Sequence, residues 1–378
     1  MSALSPWPAC AAFIAAWATA WALTPRGAST TTGTRVTTID GLRGYLALAV
    51  FLHHGCVWVF YLRGGGWQLP ASALYDHFGG SSVALFFMIT AFLFWSKLLD
   101  ARTRPINWAR LYLSRIARLT PLYIVVVLLL LVVVAVASSW RVLVPWPRLV
   151  LEVGAWLAFT IPGPVTINAL PHTDAIVAGV TWSLPYEWCF YLLLPLMAIA
   201  LGQRPPRWSI ALSLVSIVVF AVVWMPDPRY LLQFMGGVIA AGLSRSAACR
   251  RLATHPLVTL LMAVCLLGLL WVPTADVRAV VLLTIAFSCI ACGNSVGGLL
   301  VSPASRTLGD MAYSIYLVHG LLLFVTFRWW LGPANAAAFS PAAHWALIVG
   351  GTPVLVLLCR ASFLAIERPA MVWVASRR

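Results

Sequence analysis

The chain has 378 residues, 62% hydrophobic and only 9% charged, and its 25 Lys and Arg against 10 Asp and Glu give a formal charge of +15. Long stretches run without an acid or base over the roughly 20 residues that cross a bilayer, which excludes a soluble globular domain and predicts a polytopic, all-α membrane protein. The cations fall in short stretches between apolar runs, where they orient a chain in the membrane and meet anionic lipid headgroups, so nucleic acid is not the expected partner.

The first apolar run, 7–23, lacks the basic leader of a secretory signal and is expected to be retained as an extra transmembrane helix within residues 1–28. A Thr/Ser/Gly-rich linker occupies 29–38. Ten further spans are expected at 42–62, 80–96, 121–139, 182–201, 208–224, 230–243, 256–272, 280–293, 311–331 and 343–366, forming a core domain over 39–370 with a basic tail at 371–378. Residues 149–161 are apolar but too short for a straight span, so 140–180 is expected as an external excursion with a re-entrant or interfacial helix, closing at Pro162-Gly163-Pro164. Lys97, Arg102, Arg104, Arg110, Arg115 and Arg118 crowd one inter-span region, which the positive-inside rule assigns to the cytoplasm. The same rule puts the N-terminus outside and the C-terminus inside. All cysteines except Cys249 lie in apolar segments and read as buried free thiols. Cys289 and Cys292 have a redox-motif spacing but no companion ligands, and no metal site is expected.

Arg43 and His54 are the first candidates for chemistry. Eleven residues apart on a helix, they return to within about 20° of one face, about 16 Å apart along the axis. Ionisable groups at such depth are costly and usually face a protein interior where they act. Arg43 alone also reads as a cytoplasmic anchor; His54, three turns deeper, does not. Asp40 is placed to cap the helix carrying them, and His53 is turned away by about 100°.

Glu187 lies in Thr181-Trp182-Ser183-Leu184-Pro185-Tyr186-Glu187-Trp188-Cys189-Phe190-Tyr191, just inside a span, where an acid must be protonated, paired or solvated. His54 is its candidate partner, since a carboxylate on one imidazole nitrogen leaves the other to take a hydroxyl proton; a structural role for Glu187 is the alternative. Arg115 and Arg118 share a face at i, i+3 before a membrane entry and suit either phosphate binding or topological anchoring. His319 reads equally as a buried structural histidine or as part of the site.

Taken in order, six elements resemble the membrane-bound acyltransferase family 3. They are Asp40-Gly41-Leu42-Arg43 with His54; 83–93 around Leu85-Phe86-Phe87; Arg115-x-x-Arg118-x-x-Pro121-Leu122-Tyr123; Trp182-Ser183-Leu184-x-x-Glu187-x-x-Phe190-Tyr191-x-x-x-Pro195; Tyr313-Ser314-x-Tyr316-Leu317-x-His319; and Glu367-Arg368-Pro369. Two positions depart from the usual pattern: Ala84 stands where an Asp is common, and Thr90-Ala91 where Ser-Gly is usual.

The resemblance implies a ten-helix enzyme of the stand-alone form, without an appended esterase-like domain. It implies transfer of an acyl group, most often acetyl from acetyl-CoA, to a hydroxyl of a glycan or glycolipid. Arg43, His54 and Glu187 would be catalytic, Arg115 and Arg118 would hold the acyl-CoA, and Asp40, Trp182, Ser183, Tyr191 and His319 would complete the site. The expected location is a bacterial inner membrane, with membrane lipid as a further partner and no metal. Residues 140–180, with His172 and Asp174, are expected to contact the acceptor. A macrolide-like secondary metabolite is an alternative acceptor, and transport of a lipid-linked sugar or a scaffold role are alternatives from other classes.

Overall fold

The computed structural model describes residues 2–24, 36–64, 66–101, 103, 105–224 and 226–376. They form helices α1 (Trp7–Leu23), α2 (Thr37–Tyr61), α3 (Ala73–Asp100), α4 (Trp108–Ala137), α5 (Trp146–Leu157), α6 (Leu184–Ala200), α7 (Arg207–Val219), α8 (Pro228–Leu243), α9 (Ala247–Ala253), α10 (Pro256–Gly268), α11 (Val277–Ala291), α12 (Pro303–Asp310), α13 (Ala312–Phe324), α14 (Pro333–Ala338), α15 (Pro341–Ser362) and α16 (Arg368–Ser376). Among the described residues there is no strand, and the all-α expectation holds.

Each of the eleven expected apolar runs is largely helical. Among the described residues, seven helical stretches are long and apolar enough to cross a bilayer, and eight if α9 and α10, bent by 77°, act as one broken span. α1 and α11 are apolar but shorter. These lengths fit a multi-pass membrane protein.

Several boundaries differ from those read in the sequence. Asp40 is not the cap of α2: the helix starts at Thr37 after Val36, which puts Asp40 in the first turn, where its charge still favours the helix dipole. Of the linker, 29–35 lie outside the described residues, while Thr37 and Thr38 are already helical. α4 begins well before the expected 121, because Asn107 caps it by accepting from the Arg110 amide at 3.0 Å. Arg110, Arg115 and Arg118 are therefore helical, and Pro121 lies inside the helix. Arg102, Arg104 and the last two arginines lie outside the described residues; 371–376 continue α16, and Arg110 Nη2 donates to Ala375 O at 3.1 Å.

The chain divides into two compact units. The first comprises Met1–Leu93, Leu232–Tyr316 and Val325–Arg360. In it α1 buries a stripe of Ala9, Ala12, Ala16 and Ala20, while Tyr75 Oη and Trp345 Nε1 donate to the carbonyls of Ser5 and Ala3 just before it. α2 crosses the 299–310 segment so closely that only glycine fits. A Cβ on Gly41 would fall 1.9 Å from the Leu300 carbonyl oxygen, and one on Gly309 would fall 1.7 Å from that of Asp40. Tyr45 Oη and Ser305 Oγ, 2.7 Å apart, and Thr38 Oγ1, which donates to Ile290 O at 2.9 Å, fix the register.

The second unit comprises Phe94–Leu231, Leu317–Phe324 and Ala361–Arg378. Its excursion between α4 and α6 is tightly wound: eight non-glycine residues between Ser139 and Ala178 have positive φ. α5 is too short to span and leaves Trp146, Val150 and Leu151 exposed, the signature of an interfacial helix. The deeper element is the pair of 3₁₀ turns Thr173–Val177 and Val180–Ser183. A Cβ on Gly320, midway along the Ala312–Trp330 span, would lie 2.3 Å from the Val177 carbonyl carbon, so this stretch reaches mid-span depth. Residues 149–161 thus fit the interfacial alternative, while 173–177 packs deeper and leads into the Val180–Ala200 span, a distinction that hydropathy alone does not carry.

Candidate active site

In the first unit α2 carries Arg43 and His54 as the spacing predicts. Arg43 Nη1 lies 3.6 Å from Asp40 Oδ1, an i, i+3 pair with both side chains largely but not fully buried. His53 is a buried structural residue, its Nδ1 2.7 Å from the Tyr75 carbonyl. His54 is only half-buried. Its Nδ1 lies 2.9 Å from the Val50 carbonyl, and because a carbonyl only accepts, this nitrogen carries the proton. Nε2 is then the basic nitrogen of the neutral ring. The imidazole stacks on Trp67 with centroids 6.1 Å apart and planes at 16°, while Trp58 and Tyr61 pack edge-on to the same indole. The Val50 carbonyl, one turn earlier on the same helix, thus orients the ring through Nδ1.

The second unit contains a separate polar cluster. Phe94 presents its ring to two cations, Lys97 Nζ at 5.0 Å and the Arg115 guanidinium at 5.1 Å, and Tyr191 lies 6.0 Å from the same guanidinium. The Tyr191 hydroxyl donates to Glu187 Oε1 and lies within reach of Arg115. Arg118 is in electrostatic range of Arg115, Glu187, Tyr191 and the buried Glu367. Lys97, Arg115 and Arg118 outnumber Glu187 and Glu367 by one charge, and the buried Arg115 Nε has no hydrogen-bond partner. With exposed Lys97 at its edge the cluster is net positive, which favours an anionic ligand, and two guanidiniums can hold one bidentately.

Trp182 and Ser183 sit in the 3₁₀ turn that leads directly into α6. Trp182 packs 4.7 Å from Tyr230, and Ser183 Oγ donates to Val180 O at 3.4 Å. His319 is fully buried on α13, next to the close approach of Gly320 to Val177. Tyr186 Oη accepts from the Asp227 amide at 3.0 Å, and outside the spans Arg229 holds the half-buried Asp227 carboxyl below the usual carboxylate range. Lys97 and Glu367 were not singled out from sequence. Lys97 read as one more topological cation and Glu367 as part of a terminal motif, and only tertiary packing shows both beside Arg115 and Arg118.

Arg43 and His54 thus belong to the first unit, and Arg115, Arg118, Trp182, Ser183, Glu187, Tyr191 and His319 to the second. Neither the curated proteins nor the solved structures include a match to the chain. A family model described as Acyltransferase domain matches residues 36–361, from the start of α2 to the end of α15. Covering most of the chain and every one of these residues, that match makes it a member of the membrane-bound acyltransferase family 3.

Proposed function

We propose that this acyltransferase moves an acetyl group from acetyl-CoA to a hydroxyl of a cell-surface or exported glycan or glycolipid, in a bacterial inner membrane with the donor on the cytoplasmic side. The observation that carries the reading is the His54 ring, with Nδ1 tied to Val50 O and Nε2 left basic within a family of acyltransferases. Nε2 takes the acceptor hydroxyl proton as its oxygen attacks the thioester carbon. The C–S bond then breaks, and the imidazolium returns the proton to the departing thiolate.

Arg43, held by Asp40 about 16 Å along α2 from His54, steers the anionic donor toward the reacting centre. Arg115 and Arg118 bind donor phosphates, and Lys97 adds to their field. Glu187 and Tyr191 hold Arg115 in place, while Trp182, Ser183 and His319 shape the wall. Residues 140–180 meet the acceptor.

The test compares surface glycans and glycolipids by mass spectrometry from cells with and without the protein. An acetyl mass increment found only with the protein supports the reading. Identical acylation in both, together with no transfer of label from radiolabelled acetyl-CoA in membranes, overturns it.

A further inference from the structure

We infer that the cavity lined by Ala101, residues 105–109, residues 201–206 and Trp208 is a nucleotide subsite, receiving the 3′-phospho-ADP end of coenzyme A. This rests on the proposed acyl-CoA donor and adds where its nucleotide half is held. The cavity lies wholly within the second unit and has a volume of about 570 Å³, within the range of small-molecule sites.

Its lining combines the two kinds of group a nucleotide needs. Trp108 and Trp208 supply aromatic faces, and Asn107, Gln203 and Arg204 supply polar and cationic ones. Trp208 is 48% exposed, an indole left uncovered beside a pocket. Tyr112 holds it edge-on at 6.0 Å and packs against Trp108 at 6.5 Å, so the aromatic wall is preformed. Gln203 Nε2 donates to Leu98 O and pins the second loop. Both α4 and α7 begin at this cavity, adding the partial positive charge of two helix N-termini to that of Arg204.

The cavity is also connected to the cationic cluster. Trp108, Tyr112 and Arg115 stand at i, i+4 and i+7 on one face of α4, and seven residues of helix span about 10 Å. Tyr112 Oη donates to Tyr191 O at 3.3 Å, tying this stripe to the residue that bonds Glu187. An adenine against the indoles would thus direct the diphosphate and acyl arm along α4 toward Arg115 and Arg118. The Lys/Arg bias assigns this mouth to the cytoplasm, where acyl-CoA is found.

The test uses the full-length protein in lipid nanodiscs with two donors, acetyl-CoA and acetyl-phosphopantetheine, which lacks the nucleotide. Trp208→Ala is expected to reduce the kcat/KM preference for acetyl-CoA over the truncated donor by about 5- to 150-fold, the span for loss of one base–aromatic stack. Inhibition by 3′,5′-ADP should weaken in parallel, and Trp208→Phe should restore most of both. A preference unchanged in Trp208→Ala overturns the inference while leaving the donor reading intact. So does 3′,5′-ADP inhibition that responds to salt or anionic lipid but not to Trp208, since the cavity would then be a headgroup site. No turnover with either donor by the unmodified protein defeats the donor reading, and this inference with it.

Discussion

Gly41→Ala tests whether the close crossing of α2 sets the geometry of Arg43. The added Cβ would meet the Leu300 carbonyl oxygen at 1.9 Å, about 1.5 Å short of ordinary contact, and the opposing atom is backbone rather than a movable side-chain tip. Overpacking of this kind costs about 1–3 kcal/mol, and here the backbone must move to relieve it. The shift falls two residues before Arg43 and one after Asp40, so their pair moves with it. A displacement of about 1 Å in a positioning group can lower turnover by about 10²-fold. Gly350→Ala is the control, because a Cβ there meets nothing within 4 Å. Thermal unfolding followed by fluorescence-detected size exclusion, with acyl transfer by the folded fraction, gives both quantities. Gly41→Ala should show a lowered Tm and a large loss of kcat, with Gly350→Ala near wild type in both. Equal Tm and turnover in the two variants would refute the reasoning.

Trp67→Ala removes the stacked partner of His54, and a loss of about 0.5–1.5 kcal/mol of ring–ring interaction predicts a roughly 2- to 10-fold fall in kcat with little change in donor KM. Tyr191→Phe deletes the hydroxyl that bonds Glu187. Leaving that carboxylate short of a partner costs about 1–3 kcal/mol, read as a lowered Tm and, because Arg115 is freed, a raised donor KM. The pH profile gives a further check. A carboxyl depressed in the folded state, like that of Asp227, contributes stability that is present above its unfolded pKa and lost only as pH falls through its folded value. That window lies below the usual carboxylate range, so Asp227→Asn should leave stability and activity flat relative to wild type from pH 5 to 8; divergence within that interval would contradict the assignment.

The parts of this molecule that repeat with helical period were readable in its sequence. Apolar runs gave the helices, and the separation of Arg43 from His54 gave a shared face on α2, because both follow from local geometry alone. What failed depended on context. Asp40 looked like a cap because it precedes the apolar run, yet Thr37–Ile39 are held in the helix by contacts such as Thr38 to Ile290, distant in the chain. α4 looked like a loop followed by a span because its arginines lower local hydropathy, whereas Phe94, Tyr191 and the carboxylates that accommodate Arg115 and Arg118 come from other elements. The 173–177 turn is short and unremarkable in composition; the missing side chain of Gly320 is what admits its backbone. The Val50 carbonyl that His54 Nδ1 meets is backbone, so side-chain types alone do not reveal it.

The most direct measurement compares His54→Ala with the unmodified protein at matched membrane abundance, following transfer of radiolabelled acetyl from acetyl-CoA to the acceptor glycan. With His54 Nε2 as the base, the variant should retain its donor KM and lose about 10²- to 10⁴-fold in kcat. Turnover near the unmodified level would contradict the account.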